Sequence, residues 1–360
     1  MNIGSNNPRG ELVDKLPPTS AEEQDALLEE HPIRSKEFML VTSEILRVAT
    51  LALHAINKRW PCCNFVGVSR VGKSRASSYI TAAIKSSFRD VLVFRRNSLS
   101  GESKNATVFS EMMSAMSLDE RDLKTAVDAR VRAARSLDVR ARATGAHHVV
   151  LVADEANNLT MNQFRMLADI SNEMELGLTF IGFGMPNLLE RRNALLATDS
   201  GYLVSRFLNL MVEIAGIRSE TDLREFMSLY DEPSQLEYPA GSRWPISRFF
   251  FPGAWLQGWR LGNEAGTLWR LFESRVVEGK RRVGFQISTE CVAIAIKSVL
   301  IDNRHFKFTT TPISELDWQY GVAQSQFQPS IGWSAKSSEN LRTTLQTLED
   351  FGLAPPDLSS

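Results

Sequence analysis

The chain has 360 residues, 43% of them hydrophobic, which is enough for one large core or two modest ones. Its 41 basic and 42 acidic residues give a net charge of −1, which excludes a global attraction to nucleic acid or to an anionic membrane. The sequence has no long apolar run and no apolar signal core at its start, so we expect a cytoplasmic protein without membrane contact. The spacing of Cys62, Cys63 and Cys291 fits neither a metal site nor a disulfide framework, and these residues are predicted to pack as reduced thiols.

The first 30 residues are polar and are predicted to form an N-terminal arm, residues 1–30. Apolar residues at helical spacing then predict a helix that Pro61 stops. The stretch "FVGVSRVGKSRASSYI", from Phe65 to Ile80, places a G-x-x-x-x-G-K-S motif between an apolar run and a helix-compatible segment. This order predicts a phosphate-binding loop between a strand and a helix.

The chemistry of such a loop assigns roles to its residues. Glycines let backbone N–H groups turn inward around a polyphosphate, and the N-terminus of the next helix adds its positive dipole end. Lys73 is predicted to reach the terminal phosphates, and the Ser74 hydroxyl to ligand Mg²⁺. A tight glycine turn that holds no nucleotide is the alternative. The predicted nucleotide-binding residues of the loop are Gly67, Val68, Ser69, Arg70, Val71, Gly72, Lys73, Ser74 and Arg75.

Two basic stretches follow the loop. "DVLVFRRN" predicts a second strand, and the loop after it is predicted to grip DNA phosphates through Arg96 and Lys104, with ordinary solvated charges as the alternative. A long helical region from about Ala106 to Ala143 comes next. The arginines of its stretch "DARVRAARSLDVRARA" spread around the helix among acidic residues, which favours a solvated face or a subunit contact.

The strand "HHVVLVADEA" ends in two carboxylates. Asp154 follows five apolar residues, Val149 to Ala153, and is predicted to anchor Mg²⁺ together with Ser74. Glu155 is predicted to polarise a water for attack on the γ-phosphate, so the pair favours hydrolysis over small-molecule kinase chemistry. An N-cap of the helix that begins near Thr160 is the alternative for this pair.

Strands and helices alternate to about Ile217, which predicts a parallel sheet with crossovers, an α/β core over residues 31–217. Arg206 precedes the last strand, "FLNLMVEI", and is predicted to act as an arginine finger toward a neighbouring subunit; a surface salt bridge is the alternative. Residues 218–305 are predicted to hold an aromatic insert, as a hairpin or loop, and a small helical domain. Residues 306–360 are predicted to be a tail that is flexible or ordered only by a partner.

The chain resembles the TniB/TnsC family of transposon-encoded AAA+ ATPases, relatives of the IstB-type helpers. The resemblance spans roughly residues 30–300 and rests on "GVSRVGKS", "VVLVADEANN", "LTFIGFGMPN", "SRF" and "EAGTLWRLF". It implies a P-loop AAA+ domain, with a parallel sheet flanked by helices, and a small helical lid. It further implies ATP and Mg²⁺ binding, and an oligomer or filament on duplex DNA without sequence preference. This assembly would link a target-selection protein to the transposase, with ATP hydrolysis controlling disassembly.

By this resemblance Lys73, Ser74, Asp154 and Glu155 keep the roles given above, and Arg206 is similar to the family's finger donated in trans. Arg270, in "TLWRLF", is similar to the lid cation that meets the γ-phosphate, although snorkelling at the edge of a core explains it equally well. The strand end "GFG" departs from the polar sensor residue that AAA+ proteins carry there. A helicase-loader-like ATPase and a nucleotide-switch scaffold acting on protein partners without DNA are the competing functions.

Overall fold

The computed structural model describes residues 18–35, 38–97, 126–278, 285–304 and 312–327. Its contacts divide the chain into two compact units, and each is considered by itself below. Among the described residues, an α/β unit comprises those within 44–214, and a helical unit combines those within 18–43 with those within 215–327. Within the described ranges, no helix combines the length and apolar character needed to cross a membrane. The four-part domain division remains a prediction.

The α/β unit is built on a five-stranded sheet in the order β2-β3-β4-β1-β5. All neighbouring strands run parallel, which confirms the predicted fold class. Every residue of β1 and β3 is buried, as expected for parallel strands covered on both faces. The strands are β1 Cys62–Val66, β2 Val91–Asn97, β3 His148–Asp154, β4 Gly177–Gly184 and β5 Met211–Glu213.

Helices connect and cover these strands. The helix after β3 begins at a capping box, in which the Thr160 side chain accepts from the N–H of Gln163 and the Gln163 side chain accepts from the N–H of Thr160. The described helices of this unit are Ser43–Asn57, Lys73–Ser87, Ala126–Ala143, a 3₁₀ turn Ala156–Asn158, Met161–Glu173, Asn187–Leu196, Gly201–Leu203 and a π-helix Val204–Leu208. We call Lys73–Ser87 the loop helix.

The register of the strands defines two edges of the sheet. Val66 pairs with Gly184, and Asn97 pairs with Asp154, so the segments that follow β1, β2, β3 and β4 begin at one edge, the carboxyl edge. The strands start at the opposite, amino edge. The carboxyl edge of an open parallel sheet is where ligands bind in this class of fold.

The segment before β5 differs from the prediction. "FLNLMVEI" was expected to be one strand, but its first residues belong to the π-helix and β5 is only three residues long. The buried amide of Asn64 on β1 donates to the carbonyl oxygens of Phe207 (2.8 Å) and Leu210 (3.0 Å). The Phe207 ring also packs among aromatic rings of the core. These contacts hold the backbone in a helical turn where hydrophobicity alone predicts a strand.

The helical unit has a core of its own. Its described helices are Ala21–Leu28, Pro32–Ser35, Glu220–Ser228, a 3₁₀ turn Leu229–Asp231, Ile246–Phe250, Pro252–Leu256, a 3₁₀ turn Leu261–Glu264, Ala265–Ser274, Thr289–Asp302 and Glu315–Gln324. Side-chain caps from Ser20, Ser219, Ser288 and Ser314 begin four of these helices.

Two predictions for this unit are wrong. The aromatic insert keeps one antiparallel bridge, Glu237 with Pro245, but the apolar run after it forms two short helices. Phe249, Phe250 and Phe251 are fully buried, so these aromatic residues build the core and do not belong to a hairpin or loop. The segment after Phe306 was expected to be flexible or ordered only by a partner, yet Glu315–Gln324 is a capped helix with Trp318 buried in this unit. Residues 328–360 lie outside the described part.

His31 lies in this core and links folding to pH. Its ring packs against Tyr238, Phe249 and Phe250 at centroid distances of 4.5, 4.7 and 5.2 Å. Nδ1 accepts from the N–H of Ile33, and Nε2 has no hydrogen-bond partner among the described residues. Burial lowers the pKa of His31 from 6.5 to about 3, so the folded ring stays neutral at pH values where the unfolded ring is protonated.

We therefore expect acid to destabilise the protein through His31. Below pH 6.5 the imidazole of His31 binds a proton in the unfolded chain but not in the folded chain. The free energy of unfolding therefore falls as the pH drops toward 3. His31→Phe should remove about 2 kcal/mol of the loss between pH 7 and pH 5, measured by denaturant unfolding. His147→Gln, at an exposed histidine, is the matched control and should keep the wild-type pH dependence. Equal losses for wild type and His31→Phe would show that His31 is not the group responsible.

Candidate nucleotide site

The predicted phosphate loop leaves β1 at the carboxyl edge and leads into the loop helix. Gly67 donates its N–H to the carbonyl oxygen of Gly184 (3.1 Å), which ties the loop to the end of β4. A Cβ at Gly67 would lie 2.3 Å from the carbonyl oxygen of Ile214, so only glycine fits there. Gly72 has φ of 98° and precedes the first residue of the loop helix. The two glycines of the motif are thus required by a close approach and by a left-handed turn.

The remaining loop residues divide into anchored and accessible ones. Val68 and Val71 are buried and fasten the loop to the unit. The residues that the loop exposes are Ser69, Arg70, Ser74 and Arg75. Lys73 and Ser74 occupy the first turn of the loop helix, where backbone N–H groups lack partners within the helix. This arrangement has the form of an anion site at a helix N-terminus.

Lys73 points back over the loop. Its Nζ donates to the carbonyl oxygens of Gly67 (3.0 Å) and Val68 (2.6 Å) and lies 3.6 Å from Sδ of Met185. Burial lowers the pKa of Lys73 from 10.5 to about 8, and the charges of Asp154 and Glu155 oppose this shift. A desolvated ammonium held by two neutral carbonyls interacts strongly with an added negative charge. The ammonium of Lys73 is therefore well placed to bind a phosphate group.

Asp154 is the last residue of β3 and lies beside the loop helix. It is buried, and its Oδ2 is 3.4 Å from the hydroxyl of Ser77, which donates to the carbonyl oxygen of Ser74 (3.0 Å). Its other oxygen, Oδ1, accepts from the N–H of Glu155 (3.1 Å). A carboxylate, and a serine hydroxyl on the first turn of the adjacent loop helix, are the hard oxygen ligands that Mg²⁺ prefers, so Asp154 and Ser74 fit this ion.

Glu155 is held in an uncommon conformation. Its φ of 54° and ψ of 41° are left-handed, which is costly for a residue with a side chain. Its carboxylate accepts from Nδ2 of Asn158 (2.9 Å), and its backbone carbonyl accepts from the N–H of the same residue (2.8 Å). The alternative role of the pair, as N-cap of the next helix, is wrong because Thr160 forms that cap.

The end of β4 differs from a polar sensor. Met185 follows the strand, and its thioether faces Lys73, which agrees with the departure from a polar sensor that the sequence "GFG" indicates. The N–H of Met185 donates to Oδ1 of the buried Asn157 (2.9 Å). Asn157 thereby joins the turn after β3 to the turn after β4. Both asparagines of "DEANN" have roles that the sequence reasoning did not assign.

Arg206 lies near the opposite edge of the sheet. Its Nη1 donates to the carbonyl oxygen of Ala168 (3.3 Å) and to Oδ1 of Asn172 (2.6 Å), both on Met161–Glu173. This helix starts after β3 at the carboxyl edge and returns to the amino edge, where β4 begins. The side chain therefore lies away from the phosphate loop of its own chain. Arg206 forms no ion pair with another described residue, and both its role as a finger and the alternative of a surface salt bridge stay predictions.

The predicted DNA contacts are placed differently from the expectation. Arg96 belongs to β2 itself, paired in register with Ala153, and is only 7% exposed. The prediction that it lies in a loop is wrong, and its burial opposes a direct contact with DNA. Lys104 lies outside the described residues. In the basic helix, Arg130 and Arg142 form ion pairs with Asp169 and Glu175 inside the unit.

Arg270 lies on Ala265–Ser274 in the helical unit, where its Nε donates to the carbonyl oxygen of Gly266 (3.3 Å) one turn earlier. The side chain is exposed in part and leans along its own helix, which agrees with the snorkelling alternative. Its contact with a γ-phosphate stays a prediction.

Comparison with protein families adds to this geometry. Residues 58–191 match the family model described as an AAA domain. The sheet, the phosphate loop and this match together show the P-loop fold of AAA+ ATPases. The matched segment contains the loop and the Asp154–Glu155 pair. Membership of the TniB/TnsC family is not confirmed, and the search of curated proteins gave no match.

Solved structures agree with the fold. The chain is similar to the Aeropyrum pernix ORC2 protein in ADPNP-ADP complexes, at 12% identity and a TM-score of 0.51, over 82% of this chain and 71% of that one. It is also similar to Drosophila ORC bound to AT-rich DNA and Cdc6, at 10% identity and a TM-score of 0.47, over 98% and 51% of the two chains. At such identities the first likeness shows the fold alone, and the second is too weak to argue from.

Proposed function

We propose that this chain binds ATP with Mg²⁺ at the phosphate loop and hydrolyses it to ADP and phosphate. The observation that carries the proposal is the convergence of Lys73, Asp154 and Glu155 at one edge of the sheet, each held by its own hydrogen bonds. Lys73 binds the terminal phosphates, and the backbone of residues 67–75 surrounds them. The ADPNP-ADP complexes of the Aeropyrum pernix protein support a nucleotide at this fold.

The two carboxylates divide the work. When bound, Mg²⁺ would neutralise the charge that develops on the phosphates. Ser74 and Asp154 are the residues that would hold this ion. Glu155 orients the attacking water and accepts its proton. Asn158 fixes the Glu155 carboxylate, which limits the side chain to few positions. The buried Asp154 is thus suited to hold a metal ion, and the exposed Glu155 is suited to activate a water molecule.

A complete site requires a second subunit. Arg206 is anchored at the amino edge, whereas the phosphate loop is at the carboxyl edge, so the finger cannot reach the loop of its own chain. We infer that the chain forms a homo-oligomer in which Arg206 stabilises the transition state at the neighbour's nucleotide.

The biological role follows from the resemblance of the sequence motifs to TniB/TnsC proteins. We propose an ATP-dependent regulator of DNA transposition that assembles as a ring or filament on duplex DNA, without sequence preference, in the cytoplasm. It would link a target-selection protein to the transposase, and hydrolysis would control disassembly. A helicase-loader-like ATPase would share the site and differ in its client. Arg270 of the lid, and Lys104 beside DNA, belong to this proposal.

Imaging of the protein with duplex DNA and a non-hydrolysable ATP analogue tests the proposal. We expect regular rings or filaments when both are present, because nucleotide at the subunit boundary aligns neighbours. Lys73→Ala alone should form far fewer of these assemblies, and Lys85→Ala, at an exposed lysine further along the same helix, should form them as wild type does. Nucleotide binding without any assembly on DNA would instead favour the nucleotide switch that acts on protein partners.

A further inference from the structure

Arg95 makes contacts at the nucleotide site that none of the roles above explains. It extends from β2, the edge strand of the sheet, toward the first turns of the loop helix. Its Nε donates to Oγ of Ser77 (3.1 Å), and its Nη2 donates to the carbonyl oxygen of Ser74 (3.2 Å). The same Nη2 lies 3.5 Å from Oδ2 of Asp154. Arg95 thus joins the edge strand to both predicted metal-binding residues.

The pairing involves the Asp154 oxygen that faces the loop helix. Oδ1 accepts from the N–H of Glu155, whereas Oδ2 faces Arg95 and the loop helix that carries Ser74. The Asp154 side chain is only 5% exposed, and that of Arg95 is 30% exposed. Because water is largely excluded from the carboxylate, the guanidinium interacts with it more strongly than it would at an exposed site. A divalent cation at Oδ2 would meet this positive charge at close range.

We propose that Arg95 and Mg²⁺ compete for Asp154, so that Arg95 sets the Mg²⁺ concentration at which the site binds nucleotide. The inference rests on the proposed function and adds a regulatory residue to the same site. Arg95 has two other acceptors, Ser74 and Ser77, that can keep the guanidinium bound after Asp154 turns to the metal. The exchange therefore costs one ion pair and leaves the rest of the network intact.

A positioning role predicts the opposite sign. If Arg95 served only to orient Asp154, its removal would loosen the carboxylate and raise the Mg²⁺ requirement. If it competes, its removal frees Oδ2 and lowers the requirement. The direction of the change separates the two roles, and it is read from binding without any turnover.

The experiment is a Mg²⁺ titration of nucleotide binding, followed by the fluorescence of a labelled, non-hydrolysable ATP analogue. Arg95→Gln should lower the half-saturating Mg²⁺ concentration about fivefold. Arg95→Met, which keeps an apolar stem, should shift it in the same direction, and Arg95→Lys, which keeps the charge but loses the planar fork, should shift it less. Arg59→Gln is the matched control, because Arg59 also pairs with an aspartate, Asp90, in the same unit but at the amino edge.

Each result decides the inference. In excess chelator, neither Arg95→Gln nor Arg95→Met should bind the analogue more tightly than wild type, because the gain requires the metal. If both variants need as much Mg²⁺ as wild type or more, the proposed competition is wrong and the proposed function stands. This conclusion requires that wild type binds the analogue and that the variants keep the wild-type unfolding midpoint. A wild-type chain that binds no analogue at any Mg²⁺ concentration overturns the proposed function, and the competition falls with it.

Discussion

Lys73→Ala is expected to weaken nucleotide binding at least about 100-fold, whereas Glu155→Gln keeps the wild-type affinity and loses about 10²- to 10³-fold in turnover. Lys73 supplies a desolvated positive charge inside the loop, so its removal takes away ground-state binding. Glu155 acts on the water, and its amide variant still accepts the hydrogen bond from Asn158 but cannot take a proton. Equilibrium titration with a labelled ATP analogue and phosphate release under saturating ATP measure the two effects separately.

The controls come from the same unit. Lys85→Ala removes an exposed lysine of the loop helix, and Glu190→Gln neutralises an exposed glutamate. Both should match wild type in binding and in turnover. Normal hydrolysis by Glu155→Gln would rule out its role as the base, and unchanged affinity in Lys73→Ala would remove the phosphate loop from the account.

Arg206→Ala should bind ATP normally and lose about 10³-fold or more in hydrolysis, because only the transition state needs the finger. Mixed with Lys73→Ala, it should regain activity. One variant supplies an intact loop and the other an intact finger, so about a quarter of the boundaries in a random equal mixture are complete. Phosphate release from the mixture, compared with each variant alone, gives the measurement.

The matched control is Arg59→Ala, which removes another arginine near the amino edge and should keep wild-type hydrolysis. Co-assembly of the two inactive variants must be shown by sedimentation. Mixed assemblies that remain inactive, or Arg206→Ala alone with normal turnover, would exclude a finger donated across the boundary.

Much of the site could be predicted because its signals are local. The phosphate loop is one contiguous motif, and the strand before Asp154 and Glu155 is a short apolar run, so each part is visible in a few residues. Parallel strands bring their carboxyl ends to one edge, which places the two parts together without further information. The α/β fold and the order of its elements follow from the same alternation of strands and helices.

Other features depend on contacts between distant segments. In the sequence, Arg95 is one of several charged residues after an apolar run. Its contact with Asp154 becomes visible only in the structure, where β2 packs against the loop helix. Arg96, one residue later, points to the other face of the sheet and is buried. The sequence pattern predicts a loop for Arg95 and Arg96 alike. The π-helix depends on Asn64, which lies more than 140 positions earlier in the chain.

Composition gave wrong predictions for two segments of the helical unit. Aromatic residues with proline and glycine suggest an exposed loop, but Pro252 begins a helix, and the three phenylalanines before it fill the core. The polar segment after Phe306 has weak periodicity, yet Ser314 and Asp317 form a capping box and Trp318 buries its ring. Short helices carry little periodic signal, so caps and burial decide their structure.

A titration of labelled duplex DNA with the protein, with and without a non-hydrolysable ATP analogue, tests the central claim most directly. A chain with net charge −1 has no strong attraction to DNA by itself, so tight binding requires nucleotide to align weak contacts from many subunits. We expect binding at least about tenfold tighter with the analogue, indifferent to sequence. The log–log salt slope should be steep, with about 0.9 for each phosphate contact, and shallower in Lys104→Ala. Equal binding in the two conditions would contradict nucleotide-driven assembly on DNA.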